Sequence, residues 1–226
     1  GGLAADDARV VLGLRLPRAL SGFAVGGLLA VAGVLMQVLL RNPLADPYVL
    51  GTSGGAAFAA LAAILAGFSA ASVDAAAFVG AAAATLIVFG IGGLRTGFAP
   101  TLLLLTGVVL ASGFGAGVSL LLAVSPDATL RGMLFWLRGD FSVALSPTAP
   151  LAALAAAVVV GLLMARALDV LAQSPERALL LGLPLMRMRI SVLLFASLLT
   201  AYAVTQAGSI GRSEERRVGK ECRSRW

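Results

Sequence analysis

Residues 37–55 read QVLLRNPLADPYVLGTSGG, a short polar break between two long apolar runs. Arg41, Asn42, Pro43, Asp46 and Pro47 interrupt a chain otherwise dominated by Ala, Leu, Val and Gly. Asn42-Pro43 and Asp46-Pro47 each pair a good N-cap residue with a proline suited to the first helical position. Proline also disfavours helix in the residue before it. The pattern predicts a helix ending near Arg41, a sharp turn, and a new helix starting at Pro47. A turn between two membrane helices is the minimal reading of this stretch.

The 226-residue chain is 59% hydrophobic and 12% charged, with a mean hydropathy of +0.98. Soluble domains are about a quarter charged. Several apolar runs reach the ~20 residues that a helix needs to cross a bilayer. Backbone groups in lipid must be satisfied internally, so the spans are helices or a closed barrel. Barrel strands alternate apolar and polar residues, and these runs do not. The fold class is therefore all-α, a polytopic transmembrane helical bundle. The 27 glycines suit close helix contact in lipid.

The formal charge of +6 is no nucleic-acid signal, because six of the 17 Lys and Arg residues crowd into the stretch after Gly211. There is no His, and the single cysteine, Cys222, lies in that same tail. A disulfide framework and a Cys/His metal site are thereby excluded. Gly1 opens neither a signal-peptide pattern nor an initiator Met, so the N-terminus reads as cut. No Walker A, GxSxG or HExxH pattern occurs, and no carboxylate pair stands out within a span. These absences argue against a membrane-embedded enzyme, and clean spans argue modestly against a proton-coupled carrier.

Six spans are expected, near 19–40, 48–68, 73–94, 100–124, 147–168 and 188–210. The pairs Gly22/Gly26, Gly51/Gly55 and Gly113/Gly117 each offer a face for close helix approach. Gln37, the long polar side chain of the first span, is expected to face the bundle as interhelical glue rather than to touch a ligand. Residues 1–18 stay outside the hydrocarbon, with Arg15 and Arg18 flanking Pro17; the simplest role for these arginines is interfacial anchoring. Thr129 to Leu137 reads as a short helix, either an amphipathic surface helix or a lid at a pore mouth, with Trp136 at the interface.

The connection 169–189, DVLAQSPERALLLGLPLMRMR, is longer than a bundle needs, and long connections tend to be functional. Ser174 can cap a short helix that has Pro175 first and Glu176 in its first turn. Gly182 stops it and Pro184 can open a second piece. Counting basic residues gives nearly equal votes to the two faces, so charge alone leaves orientation open, with the 166–189 region leaning cytoplasmic.

Three stretches resemble the FecCD-type permeases, the membrane subunits of binding-protein-dependent ABC importers for iron-siderophores, haem and cobalamin. They are Leu14 to Ala56, the segment SPERALLLGLPLMRMR, and LLTAYAVTQAGSIG at Leu198 to Gly211. The first is the most specific: Pro17, Gln37, Asn42, Pro43, Pro47 and Gly51 fall where that family has them, within a structural motif that also holds Arg41 and Asp46. The resemblance implies a multi-pass protein of the bacterial plasma (inner) membrane. It implies about ten spans per subunit, of which about six are expected here as a truncated fragment.

Residues 1–18 would be periplasmic, 19–211 a partial transmembrane domain, and 169–189 a cytoplasmic coupling loop. Arg15 and Arg18 would face carboxylates of a periplasmic or lipoprotein substrate-binding protein. Ser174, Pro175, Glu176, Arg177, Ala178, Gly182, Leu183 and Pro184 would form the coupling element seated on an ABC ATPase subunit. The expected partners are that ATPase, the binding protein, a second permease copy or close paralogue, and membrane lipid; no nucleic acid, cofactor or metal is implied. ATP hydrolysis would lie on the separate subunit, so the chain itself would not be an enzyme. A secondary, ion-coupled transporter is the alternative. After Gly211 the chain departs from the family and reads RSEERRVGKECRSRW, expected to be a foreign tail over residues 212–226.

Overall fold

The computed structural model describes residues 10–92, 100–139, 146–173 and 185–208. Among these the architecture is entirely helical. A π-helical turn, Val11–Arg15, leads into α1, Leu16–Leu40. A 3₁₀ turn, Pro47–Leu50, precedes α2, Thr52–Leu65. Then follow α3, Ala70–Gly92; α4, Pro100–Val124; α5, Asp127–Arg138; α6, Thr148–Gln173; and α7, Leu185–Ala207. Five helical stretches among the described residues are long and apolar enough to cross a membrane.

The first span starts earlier than expected. Helix runs unbroken over the 30 residues Val11–Leu40, so Arg15 and Arg18 are helical instead of lying in a segment ahead of the span. At 1.5 Å per residue this is about 45 Å, well beyond the ~30 Å hydrocarbon core. The surplus suits the N-terminal end, where Val11, Leu12, Leu14 and Leu16 are exposed.

The second span is shorter than expected. α2 has 14 residues, about 21 Å of helix. The missing length comes from the turn before it. Gly51 lies against the backbone of Gly107 and Ala111, two turns inside α4, so the chain enters the bundle before α2 begins. α6 and α7 both extend into the connection read as 169–189, reaching Gln173 and starting at Leu185.

α1 is the central helix. Ala24, Leu28, Ala32, Leu35 and Met36 are fully buried on it, against α6 and α7. A second cluster joins Ala56, Ala60 and Ala63 of α2, Val73, Ala77 and Ala81 of α3, and Ala201 and Val204 of α7. Its members recur at helical spacing, and their small size brings the backbones together. Nearest is the crossing of Gly55 and Gly80: a Cβ on Gly55 would stand 2.5 Å from the Gly80 carbonyl oxygen.

Of the three expected G-x-x-x-G faces, one makes this kind of contact through both partners. Gly51 backs on α4 and Gly55 on α3. Gly22 and Gly26 have nothing within 4 Å of a built Cβ, and neither has Gly113, while Gly117 faces the Phe58 ring. The motif alone cannot say which face meets a neighbour.

Gly55→Leu is expected to lower the thermal unfolding midpoint in detergent by several degrees, because the backbone must shift by overpacking worth about 1–3 kcal/mol. Gly26→Ala, with open space around it, is expected to leave the midpoint unchanged. Equal effects from the two would refute this packing account.

Candidate functional site: the break after the first span and the two ends of the bundle

The break is closed by its own side chains. Arg41 ends α1 in the left-handed conformation, φ 50 and ψ 37, with its N–H donating to the Gln37 carbonyl. Asn42 N–H donates to the same oxygen at 3.2 Å. Asn42 Oδ1 accepts from Leu44 N–H at 2.9 Å, and its carbonyl accepts from Ala45 N–H at 3.0 Å. Asp46 Oδ1 accepts from Tyr48 N–H at 2.8 Å, capping the 3₁₀ turn that Pro47 opens. Gly51, at φ 73, then reverses the chain into α2, a conformation that glycine adopts without Cβ strain.

Gln37 differs from expectation. Its Nε2 donates to the Pro43 carbonyl at 2.9 Å, six residues on, so the amide braces the turn following its own helix and bridges no neighbouring helix. The Pro43 carbonyl lies in the turn, outside any helical ladder, and the Gln37 side chain supplies its donor.

Gln37, Arg41, Asn42, Pro43, Asp46, Pro47 and Gly51 are thus brought together in one turn. Arg41 also reaches outward from it. Its Nη2 donates to the Leu171 carbonyl at 3.1 Å, near the C-terminal end of α6. A cation suits a helix C-terminus, where carbonyls lack intrahelical partners. The break and the α6 end therefore share one end of the bundle. Leu44 stands 87% exposed at the tip of the turn.

The opposite end carries Arg15 and Arg18, both exposed, about 35 Å along α1 from Arg41. Also there are the α2–α3 turn, the amphipathic surface helix α5 and the end of α7. Met133 is the wholly buried residue of α5, and Ser125 Oγ donates to its Sδ. The α5 end rests on α7, with the Trp136 carbonyl and Gly139 close against Gly208. Ser174, Pro175, Glu176, Arg177, Ala178, Gly182, Leu183 and Pro184 lie outside the described residues. So does the tail 212–226.

Three features had no legible signal in the sequence. The first is the carbonyl of Leu171 as the partner of Arg41, since a backbone acceptor leaves no mark in composition. The second is Tyr48, whose hydroxyl is buried with no hydrogen-bond partner among the described residues. The third is a cleft joining Asp74, Trp136 and Gln206 from three separate helices. No group of three or more His, Cys, Asp or Glu able to hold a metal occurs among the described residues.

A helical bundle with, among the described residues, five helices long and apolar enough to span a bilayer, a polar break closed by its own side chains at one end and arginines at the other, is built as a polytopic membrane protein. Residues 2–211 match the FecCD transport family, and the chain belongs to that family. It is 38% identical over 217 residues to the cobalamin import system permease protein BtuC of Halobacterium salinarum, covering 91% of this chain and 57% of that protein. It is 38% identical over 212 residues to the ferric enterobactin transport system permease protein FepD of Escherichia coli, covering 90% and 62%. The hemin transport system permease protein HmuU of Yersinia pestis is 36% identical over 208 residues, covering 88% and 62%. Among solved structures, an inward-facing conformation of a metal-chelate type ABC transporter matches with a TM-score of 0.80 and 30% identity, over 90% of this chain and 66% of that one. The chain spans 57–62% of the length of these curated relatives.

Asp46→Ala is expected to destabilise the protein by about 1 kcal/mol through the lost cap. Tyr48→Phe is expected to be neutral or stabilising, because an unpartnered buried hydroxyl costs about 1–3 kcal/mol. Chemical unfolding in mixed micelles measures both; a Tyr48→Phe loss comparable to that of Asp46→Ala would mean that the phenol has a partner.

Proposed function

We propose that the chain forms the core of the transmembrane permease subunit of a binding-protein-dependent ABC importer that moves a metal chelate, haem or cobalamin inward across the bacterial inner membrane. Family membership over residues 2–211 carries this reading. Cobalamin, ferric enterobactin and hemin are named for relatives at similar identity. Bulky metal-bearing chelates and cofactors are the cargo class that these three names share.

In this reading the chain performs no chemistry, and a separate ATPase subunit supplies the energy. The segment 174–184 is the element the ATPase grips. Its flanking helix end at Leu171 is tied through Arg41 to the end of α1, so a push there reaches the central helix. Coupling then takes the form of rigid-body rocking of packed helices. Arg15 and Arg18, at the far end of α1, receive carboxylates of the binding protein. Such charge pairs steer docking and set register more than they add affinity. α4 and α6 bury only 6% and 11% of their most apolar windows, leaving broad faces for a second permease copy or lipid.

A chimera in which residues 2–211 replace the matching region of the hemin permease tests the reading. Uptake of the metal complex is expected to need the ATPase and to stop with a Glu→Gln ATPase partner. Uptake that continues and follows the proton gradient would instead establish the ion-coupled alternative. Separately, Arg15→Glu with Arg18→Glu is expected to weaken binding-protein docking about tenfold at low salt and less at high salt. Unchanged affinity at low salt would remove their proposed role.

A further inference from the structure

Two cavities lie one above the other along the seam between α3 and α7. The upper one, about 470 Å³, opens at the end of the bundle that carries Arg15 and Arg18. Asp74, Trp136, Thr205 and Gln206 bring polar groups to it, the Thr205 hydroxyl already donating to the Tyr202 carbonyl, and Phe68 and Phe135 supply apolar walls. The lower one, about 310 Å³, is lined by Phe78, Ala82 and Leu86 on α3 and Leu194, Leu198 and Ala201 on α7. They are in register. Asp74 and Phe78 are one turn apart on α3, as are Thr205 and Ala201 on α7, so a single face of each helix lines both cavities.

Their chemistries differ in a directed way. Above, the exposed Asp74 carboxylate and Gln206 amide and the half-buried Trp136 indole N–H make no hydrogen bond or ion pair among the described residues. Below, the two hydroxyls in the wall are already committed to their own helices. Thr85 Oγ1 donates to the Ala81 carbonyl at 3.2 Å, and Ser197 Oγ to the Leu193 carbonyl at 2.8 Å. The lower groove thus presents almost entirely hydrocarbon. From Asp74 to Leu86 the seam descends about 18 Å, close to one leaflet's half of the ~30 Å core.

We propose that this seam is a phospholipid site specific for a primary-amine headgroup, independent of what the protein transports. The ammonium sits at the Asp74 carboxylate and beside the Trp136 ring, where a cation gains from both. Gln206 and the Trp136 indole N–H donate to the phosphate. One acyl chain follows Phe78, Ala82 and Leu86 down the groove. An anionic headgroup without an amine is repelled by Asp74. A quaternary ammonium has no N–H to donate to it.

The test uses the 226-residue chain in nanodiscs of equimolar phosphatidylethanolamine and phosphatidylglycerol with identical acyl chains, followed by native mass spectrometry after mild release. The expected result is a retained phosphatidylethanolamine molecule. Asp74→Asn lowers its preference over phosphatidylglycerol about two- to fivefold, the range of a partly exposed ion pair. Asp127→Asn, an acid of the same membrane face outside the cleft, leaves the preference unchanged. Ala82→Phe fills the groove and lowers retention of both lipids without altering their ratio. Should that variant fail to fold, an aminophospholipid with a photoreactive acyl chain is expected to label wild-type residues 78–86 or 194–201. Retention with no headgroup preference, a preference indifferent to Asp74→Asn, or a seam that neither retains nor cross-links lipid because protein covers it would each overturn the proposal.

Discussion

Where a helix stops, its last carbonyls lose their intrahelical partners, and the break between α1 and α2, at one end of the bundle, is where this chain meets that constraint. Helices satisfy themselves, so cost concentrates where they stop. Here the stop is sealed by neighbouring side chains in sequence. Asn42 and Asp46 turn their carboxamide and carboxylate onto N–H groups two residues ahead, and Gln37 reaches forward to the carbonyl at Pro43. Pro43 and Pro47 remove two donors that would otherwise need partners. The result is a turn compact enough to start α2 from within the bundle, against the backbone of α4.

That sealed break also organises the rest of the molecule. It ends α1 with Arg41 projecting sideways, so that α6 is held at the Leu171 carbonyl, and α1 packs against both α6 and α7. Small residues do the remaining work. In lipid there is no hydrophobic gain from bringing helices together, so contact depends on how closely backbones can approach. The Gly55–Gly80 crossing and the alanine rows of α2 and α3 supply this, and α7 closes over them with Ala201 and Val204. The two ends of the bundle are held at a fixed separation by one continuous helix. An importer driven from one face and loaded from the other, as proposed here, has a mechanical use for such a strut.

Much of this was legible beforehand because its causes are local. Cap residues followed by prolines announce a turn wherever they occur, and uninterrupted apolar runs announce spans. The resemblance to the FecCD-type permeases rested on those same local features. Legibility failed where an outcome depended on distant partners. The turn signal at Pro47 predicts a new helix there, and one does start at Pro47, but as four residues of 3₁₀ turn followed by a left-handed Gly51 against the backbone of α4, with the α-helix beginning only at Thr52. Gln37 is expected to face another helix, yet its amide donates to the Pro43 carbonyl in the turn that follows its own helix. Gly22 and Gly26 carry the same spacing as Gly51 and Gly55, yet their Cβ positions face open space.

By itself, then, the chain's sequence determined its solvent, its helical class, the position of its sealed break and its family. These follow from composition and from interactions among residues a few positions apart, which no packing arrangement can reverse. Only the tertiary structure decided which small-residue face became a crossing, which carbonyl took the guanidinium of Arg41, and that Asp74, Trp136 and Gln206 would share a cleft. Those outcomes depend on the relative placement of whole helices, which arises from many weak contacts summed over separate spans and is written in no single stretch of residues.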